Sequence, residues 1–231
     1  MYIYGKNVVE EAILKKEKIT KAIIYEKFND KNLISALQKL NIPIRYVPKF
    51  ELDKLVNGMH QGIIVSVPDY EYASIDDFIH EDNALVVILD HLEDPHNLGA
   101  IIRTCEAAGV SGIIIPKDRS VLVNATVIKV STGAISNMKI ARVTNIVKTI
   151  EEMKKDGFWI VGSDMNGTSY DEIDYRGKTA IVIGNEGSGM SRLVRESCDF
   201  IASIPMIGTT NSLNASVATG ILIYEALRKR K

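Results

Sequence analysis

The run ALVVILDHLEDPHNLGAIIRTCEAAGVSGIIIP, residues 84–116, decides the fold. Two continuous apolar segments, ALVVILD at 84–90 and GIIIP at 112–116, flank a helical stretch near 97–109. Strands that are apolar throughout, rather than alternating, belong to a parallel sheet covered on both faces. The alternation continues toward the C-terminus. Strands are expected at FWIVGSD (158–164), TAIVIG (179–184) and FIASIP (200–205), with helices near 123–130, 145–156, 190–198 and 214–229. Residues 83–231 therefore read as one α/β domain with a mostly parallel sheet.

Working back toward the N-terminus, residues 1–69 repeat the alternation on a smaller scale. KAIIYE, IPIRYV and GIIVSVP are strands, while DKNLISALQKL, with Asp30 as its cap, and KFELDKLVN are helices. Asn7 with Glu10 resembles a capping box for a first helix whose stripe is Val8, Val9, Ala12 and Ile13. This is a small α/β sandwich, too small to hold a cofactor alone. Charge marks the boundary: residues 1–69 carry +3, residues 70–82 carry five acids and no Lys or Arg, and residues 83–231 carry +1. Residues 70–82 are thus expected to be an acidic linker.

The chain has 231 residues, of which 46% are hydrophobic and 25% charged, which excludes disorder, collagen and coiled coil. A formal charge of −1 provides no global field toward nucleic acid or an anionic membrane, so any such attraction must be local. Two cysteines, Cys105 and Cys198, cannot make a disulfide framework, and neither they nor the four histidines have metal-ligand spacing. No apolar signal core opens the sequence, and the longest apolar stretch, Ala215 to Leu227, is interrupted by Ser216, Thr219 and Gly220. A cytoplasmic protein without metal and without a membrane segment is expected.

In an open parallel sheet the ligand crevice lies beyond the carboxyl ends of the strands. After ALVVILD, Pro95 sets the turn, Asn97 can cap the next helix and Arg103 lies within it, so spacing alone makes them a cap and a surface residue. After TAIVIG comes NEGSGM, whose glycines Gly184, Gly187 and Gly189 follow neither the dinucleotide nor the Walker order. Glu186 inside that turn would repel a pyrophosphate, which favours an uncharged or cationic ligand such as S-adenosylmethionine over NAD. After FIASIP, residues Asn211, Ser212 and Asn214 crowd ahead of a small-residue helix, with Asn214 a candidate cap. That helix is apolar nearly all round and is buried in the core or against a second subunit. His91 and His96 read as turn residues, and no GxSxG elbow supports a serine hydrolase.

Taken in order, DPHNLGAIIRTCEAAG, IVIGNEGSGMS and IPMIGTTNSLNASVATGILIYEA resemble the three motifs of the SpoU/TrmH family of RNA 2′-O-ribose methyltransferases. The first 69 residues, through YGKNVVEEAI and HQGIIVSV, resemble that family's substrate-binding domain, in the branch that methylates guanosine in large-subunit rRNA. The resemblance implies a C-terminal α/β domain tied in a trefoil knot, with cofactor bound in the knotted loops of a homodimer. By motif position Gly184, Ile204, Met206 and Leu213 would contact S-adenosylmethionine, and Asn97, Arg103, Glu186, Ser212 and Asn214 would form the catalytic cluster. Arginine stays protonated in proteins, so Arg103 as an activating group is either strongly perturbed or binds phosphate and stabilises the alkoxide, with Glu186 orienting it.

An RNA partner, large-subunit rRNA by this resemblance, would meet Lys15, Lys16, Lys18, Lys21, Lys27 and Arg45 in the N-terminal domain, with Tyr25, Phe28 and Tyr46 among them. A tRNA ribose methyltransferase and a non-catalytic RNA-binding or ribosome-assembly protein are the competing readings.

Overall fold

The computed structural model describes residues 1–56, 58–210 and 212–231, so Asn57 and Asn211 lie outside the described residues. It divides into two units, Met1–Glu71 and Tyr72–Lys231.

The first unit contains β1 (Tyr2–Tyr4), α1 (Lys6–Leu14), β2 (Lys21–Tyr25), α2 (Lys31–Lys39), β3 (Ile44–Val47), α3 (Lys49–Leu55) and β4 (Ile63–Ser66). Its sheet runs β1-β4-β2-β3, with β2 and β3 parallel and β4 antiparallel to both neighbours. Ile23, Val47, Leu52 and Ile64 form a core on one side of it. Asp30 caps α2 by accepting from the Leu33 N–H. Asn7 makes no capping box. The cap position is Gly5, at φ 92°, and Lys6 N–H donates instead to Gln61 Oε1 at 2.8 Å. A distant side chain takes the role that local spacing assigns to Asn7. Strand β1 is not apparent from the sequence, because three residues are too few to show alternation and their partner is β4, some sixty residues away.

The second unit contains β5 (Leu85–Leu89), α4 (Pro95–Ala107), β6 (Gly112–Pro116), α5 (Ala125–Ser131), β7 (Ile140–Val143), α6 (Ile146–Lys155), β8 (Trp159–Ser169), β9 (Thr179–Ile183), α7 (Arg192–Glu196), β10 (Phe200–Ser203) and α8 (Ala215–Lys229). Its sheet is β10-β8-β9-β5-β6-β7, parallel at every pairing. Every residue of β5, β6 and β9 is buried, which accounts for their continuous apolar character. Strand β7, IARV, is likewise not apparent from the sequence, because it is short and Arg142 interrupts it. The chain leaves β5 outward through β6 and β7, then returns past it to β8 and inserts β9 between β8 and β5. The change of direction puts the C-terminal ends of β5, β9 and β8 around one crevice.

The acidic segment is more than a connector. From Tyr72 onward it belongs to the second unit. Ala73 bridges Ala141, Ser74 and Asp77 form a capping box around a single helical turn, and Lys139 Nζ donates to Asp77 O at 2.7 Å. Phe78 and Ile79 enter the same core as Val86, Ile88, Ile114 and Val182. Gly112 leaves the space for Phe78, since a Cβ there would stand 2.5 Å from the ring. The carboxylates face outward while the apolar residues turn in, and counting charge alone could not reveal this second pattern. Phe78→Ala should destabilise the second unit by about 3–5 kcal/mol. Urea unfolding followed by emission of Trp159, the single tryptophan, would check it, and a loss below about 1 kcal/mol would show that the segment is peripheral.

Candidate active site

The turn after β9 is held by its own first residue. Asn185 exchanges backbone hydrogen bonds with Gly189 at 3.0 and 2.9 Å, and its Oδ1 accepts from the N–H groups of Gly187 and Ser188 at 2.9 and 3.2 Å. The amides of Gly187, Ser188 and Gly189 are therefore satisfied within the turn and are not free for a ligand. Asn185 Nδ2 donates to His91 O at 2.9 Å. Asp90, fully buried at the end of β5, bonds His91 Nδ1 and accepts from Ser191 N–H, both at 2.6 Å. Asp90 and Asn185 thus join the loops after β5 and β9. Neither is among the residues expected from the motifs, although a carboxylate ending an otherwise apolar strand is a visible signal.

Gly184 has a specific steric duty. A Cβ there would sit 2.3 Å from the backbone of Gly189 and Met190, so only hydrogen lets the turn fold back on the strand.

Asn97 is not the cap of α4. Asp94 is, accepting from His96 N–H at 2.9 Å, with Pro95 in the first turn. Released from capping, Asn97 lies buried in that first turn and reaches two other loops. Asn214 is the cap of α8, and its Oδ1 accepts from the N–H groups of Ser216 and Val217. Its Nδ2 must then point away, and it donates to Asn97 Oδ1 at 2.9 Å. That contact leaves Asn97 Nδ2 to donate to Glu186 Oε1 at 2.7 Å. Every amide in this chain is oriented by the one before it. Three expected site residues, from three loops, are brought into a single hydrogen-bonded line.

Beside that line opens a cavity of about 380 Å³ at the C-terminal ends of β8, β9 and β10. Gly184, Ile204, Met206, Leu213, Glu186 and Ser212 all line it. So do Ser163, Asp164 and Met165 of β8, which the motifs do not single out; the first two end the strand expected at 158–164, and β8 runs on past it to Ser169. The lining holds two carboxylates, Asp164 and Glu186, and no Lys, Arg or His. Asp164 is paired with Arg195 at 3.2 Å, while Glu186 receives only a neutral amide. Such a lining suits a cation and opposes phosphate. Arg103 stands apart: it is exposed on α4, does not line the cavity and has no partner among the described residues. Glu186 is held by Asn97 in place of Arg103.

Among the described residues no cluster of three or more His, Cys, Asp or Glu is placed to hold a metal, and no helix is long and apolar enough to cross a membrane.

The domain order and the loop geometry coincide with a known class. Residues 84–224 match the SpoU rRNA Methylase family, and residues 2–73 match the domain described as RNA 2′-O ribose methyltransferase substrate binding. The chain belongs to the SpoU rRNA methylase family and is an RNA methyltransferase of the TrmH/SpoU type. It is 46% identical over 238 residues to YacO of Bacillus subtilis (strain 168), named as a TrmH family tRNA/rRNA methyltransferase, covering 99% of this chain and 96% of that protein. Among solved structures, the AdoMet-bound rRNA methyltransferase of Sinorhizobium meliloti superposes with TM-score 0.72 at 26% identity, covering 98% of this chain and 86% of that one. The SpoU methyltransferase AviRb of Streptomyces viridochromogenes, solved with AdoMet, shares the fold with TM-score 0.76 at 23% identity, covering 99% and 89%.

Gly184→Ala should lower stability by about 1–3 kcal/mol through overpacking against the turn, read as a lower urea midpoint at unchanged slope. Burial pushes the Cys198 thiol up to about 12 and raises Cys105 still further. The thiolate is the reactive form, so a raised value leaves less of it at a given pH. At about pH 8 iodoacetamide should label the native protein about a hundredfold or more slowly than the urea-unfolded chain. Equal rates would contradict the burial of both.

Proposed function

We propose that this protein transfers the methyl group of S-adenosylmethionine to a ribose 2′-hydroxyl of RNA, a guanosine of large-subunit rRNA, as in the branch that the N-terminal domain resembles. The observation that carries this reading is the acid-lined cavity next to the Asn214, Asn97, Glu186 line. The cavity fits the cofactor by charge and by shape. Its sulfonium suits a site with carboxylates and no bases, its adenine suits the apolar Ile204, Met206 and Leu213, and Gly184 lets the turn that walls the cavity fold back on β9. The bound cofactor supplies an electrophilic methyl and leaves as a neutral thioether. The AdoMet bound to the S. meliloti relative, an rRNA methyltransferase, supports both cofactor and substrate class.

The remaining chemistry falls to this chain. The leaving group is already good, so the residues must orient the hydroxyl and manage its proton, and orientation can account for roughly 7–11 kcal/mol of barrier lowering. Asn97 holds the Glu186 carboxylate in the cavity lining, and Ser212 adds a hydroxyl to the same lining. Arg103, free of intramolecular partners among the described residues, is available to bind the phosphate next to the target ribose and to stabilise oxyanion character as the proton leaves.

We also infer a homodimer and a trefoil-knotted C-terminal segment. Val217 and Tyr224, one face of α8 and about half exposed, support the first; the insertion of β9 between earlier strands supports the second.

The test is transfer of labelled methyl from S-adenosylmethionine to rRNA and to tRNA, with the product position mapped. Label on rRNA is expected, and label on tRNA alone would favour the tRNA reading. Arg103→Ala should reduce kcat by about 10²–10³-fold with cofactor affinity intact. Arg103→Lys should recover little of it, and near-normal turnover would remove the need for the planar guanidinium.

A further inference from the structure

The first unit has a cavity of its own, about 560 Å³, lined by residues from the start of α1, the segment after β2, the start of α3 and the loop before β4. The loop is built to keep it open. Gln61 and Gly62 both take positive φ, 51° and 87°, and Gln61 is bound to the start of α1 through its side chain. A Cβ on Gly62 would stand 2.8 Å from Phe28, so glycine is what admits the ring. His60 is buried and fully committed: Nδ1 accepts from Gly62 N–H at 3.0 Å, which leaves the proton on Nε2, donated to Asp53 at 2.9 Å.

The charges around this cavity are unbalanced. Lys6 pairs with Asp30 at 3.3 Å and lies 5.1 Å from the centre of the Phe28 ring. Lys27 and Lys49 are exposed and pair with no carboxylate among the described residues. The single acid of the lining, Asp53, is engaged by His60. Of the other cations expected to meet RNA, Lys15 pairs with Glu11 at 2.6 Å and Arg45 with Glu51 at 3.0 Å, while Lys16, Lys18 and Lys21 pair with no carboxylate among the described residues but do not line this cavity. Unpaired lysines beside half-buried aromatic rings, here Tyr25 and Phe28, form the combination that binds a single-stranded nucleotide, phosphate to cation and base to ring.

We propose that this cavity is a nucleotide-binding site for an unpaired residue of the RNA substrate, with Lys27 and Lys49 holding phosphates and Phe28 and Tyr25 offering the stacking surface. The inference rests on the RNA methyltransferase reading above. It adds where, within the substrate-binding unit, the strand is gripped and by what chemistry. These residues lie outside the catalytic cluster, so their effect is on capture of RNA and not on the transfer step.

The experiment measures anisotropy of a fluorescein-labelled single-stranded RNA oligonucleotide with the full-length protein across a KCl series. Lys27→Ala/Lys49→Ala should weaken binding and flatten the plot of log affinity against log salt by about 1.4, about 0.7 for each phosphate that is no longer neutralised. Phe28→Leu, which keeps an apolar side chain in place, should weaken binding about fivefold or more with the salt slope unchanged. In both variants S-adenosylmethionine binding and kcat at saturating RNA should match wild type. Wild-type affinity and slope in the lysine variant, or wild-type affinity in the leucine variant, would overturn this site while leaving the methyltransferase reading intact. Polyglutamate of matched charge displacing RNA equally well from wild type would also overturn it, in favour of an acidic protein partner. A wild-type protein that neither binds RNA nor transfers methyl would overturn both readings together.

Discussion

The Oδ1 of Asn214 is occupied by the first free amides of α8, and the geometry of the site descends from that single constraint. An asparagine amide has one acceptor end and one donor end. With the acceptor end fixed on the helix, the donor end can serve only Asn97, and Asn97 in turn can present only its own donor to Glu186. The line joins the segment after β5 to the loops after β9 and β10, with Asn97 standing 89 residues from Glu186 and 117 from Asn214 in the chain. Helix capping, ordinarily a local stabilising device, here fixes the direction of a hydrogen-bond chain that ends on a carboxylate in the lining of a cavity.

That line exists only because β9 is inserted beside β5. The insertion places the segment 185–191 against the loop between β5 and α4, where Asn185 holds the carbonyl of His91 and Asp90 holds the amide of Ser191. Gly184 makes the fold-back sterically feasible. The sheet order, the glycine and the two asparagines are thus successive conditions for one arrangement, and loss of any earlier member removes the later ones.

Charge is divided between the units in the same spirit. The cavity of the second unit has carboxylates and no bases, while the cavity of the first has lysines in excess. A cationic small molecule and a polyanionic strand are chemically opposite ligands, and each is met by a lining of the opposite sign. The formal charge of −1 for the whole chain averages these away. Net charge is informative only once it is divided along the chain, and fully so only once ion pairs have removed Lys15 and Arg45 from the count.

Much of the second unit's architecture is legible in its residues, because continuous apolar strands can only be covered on both faces and the helices between them have nowhere else to lie. The motif residues Gly184, Glu186, Ile204, Met206, Ser212 and Leu213 are also legible, and they line one cavity. The short strands β1 and β7 are not, since their pairing partners are remote and their own pattern is too brief. Local spacing makes Asn97 a cap and 70–82 a connector, yet Asp94 caps the helix and Phe78 lies in the core. By itself the sequence determined which of the longer apolar segments would be strands, which loops would bear polar residues and to which family the motifs belong. Only the tertiary structure decided which end of each amide faces which partner, that Arg103 stands free of Glu186, and which lysines remain unpaired. Those outcomes depend on contacts between distant residues, and local chain periodicity does not encode them.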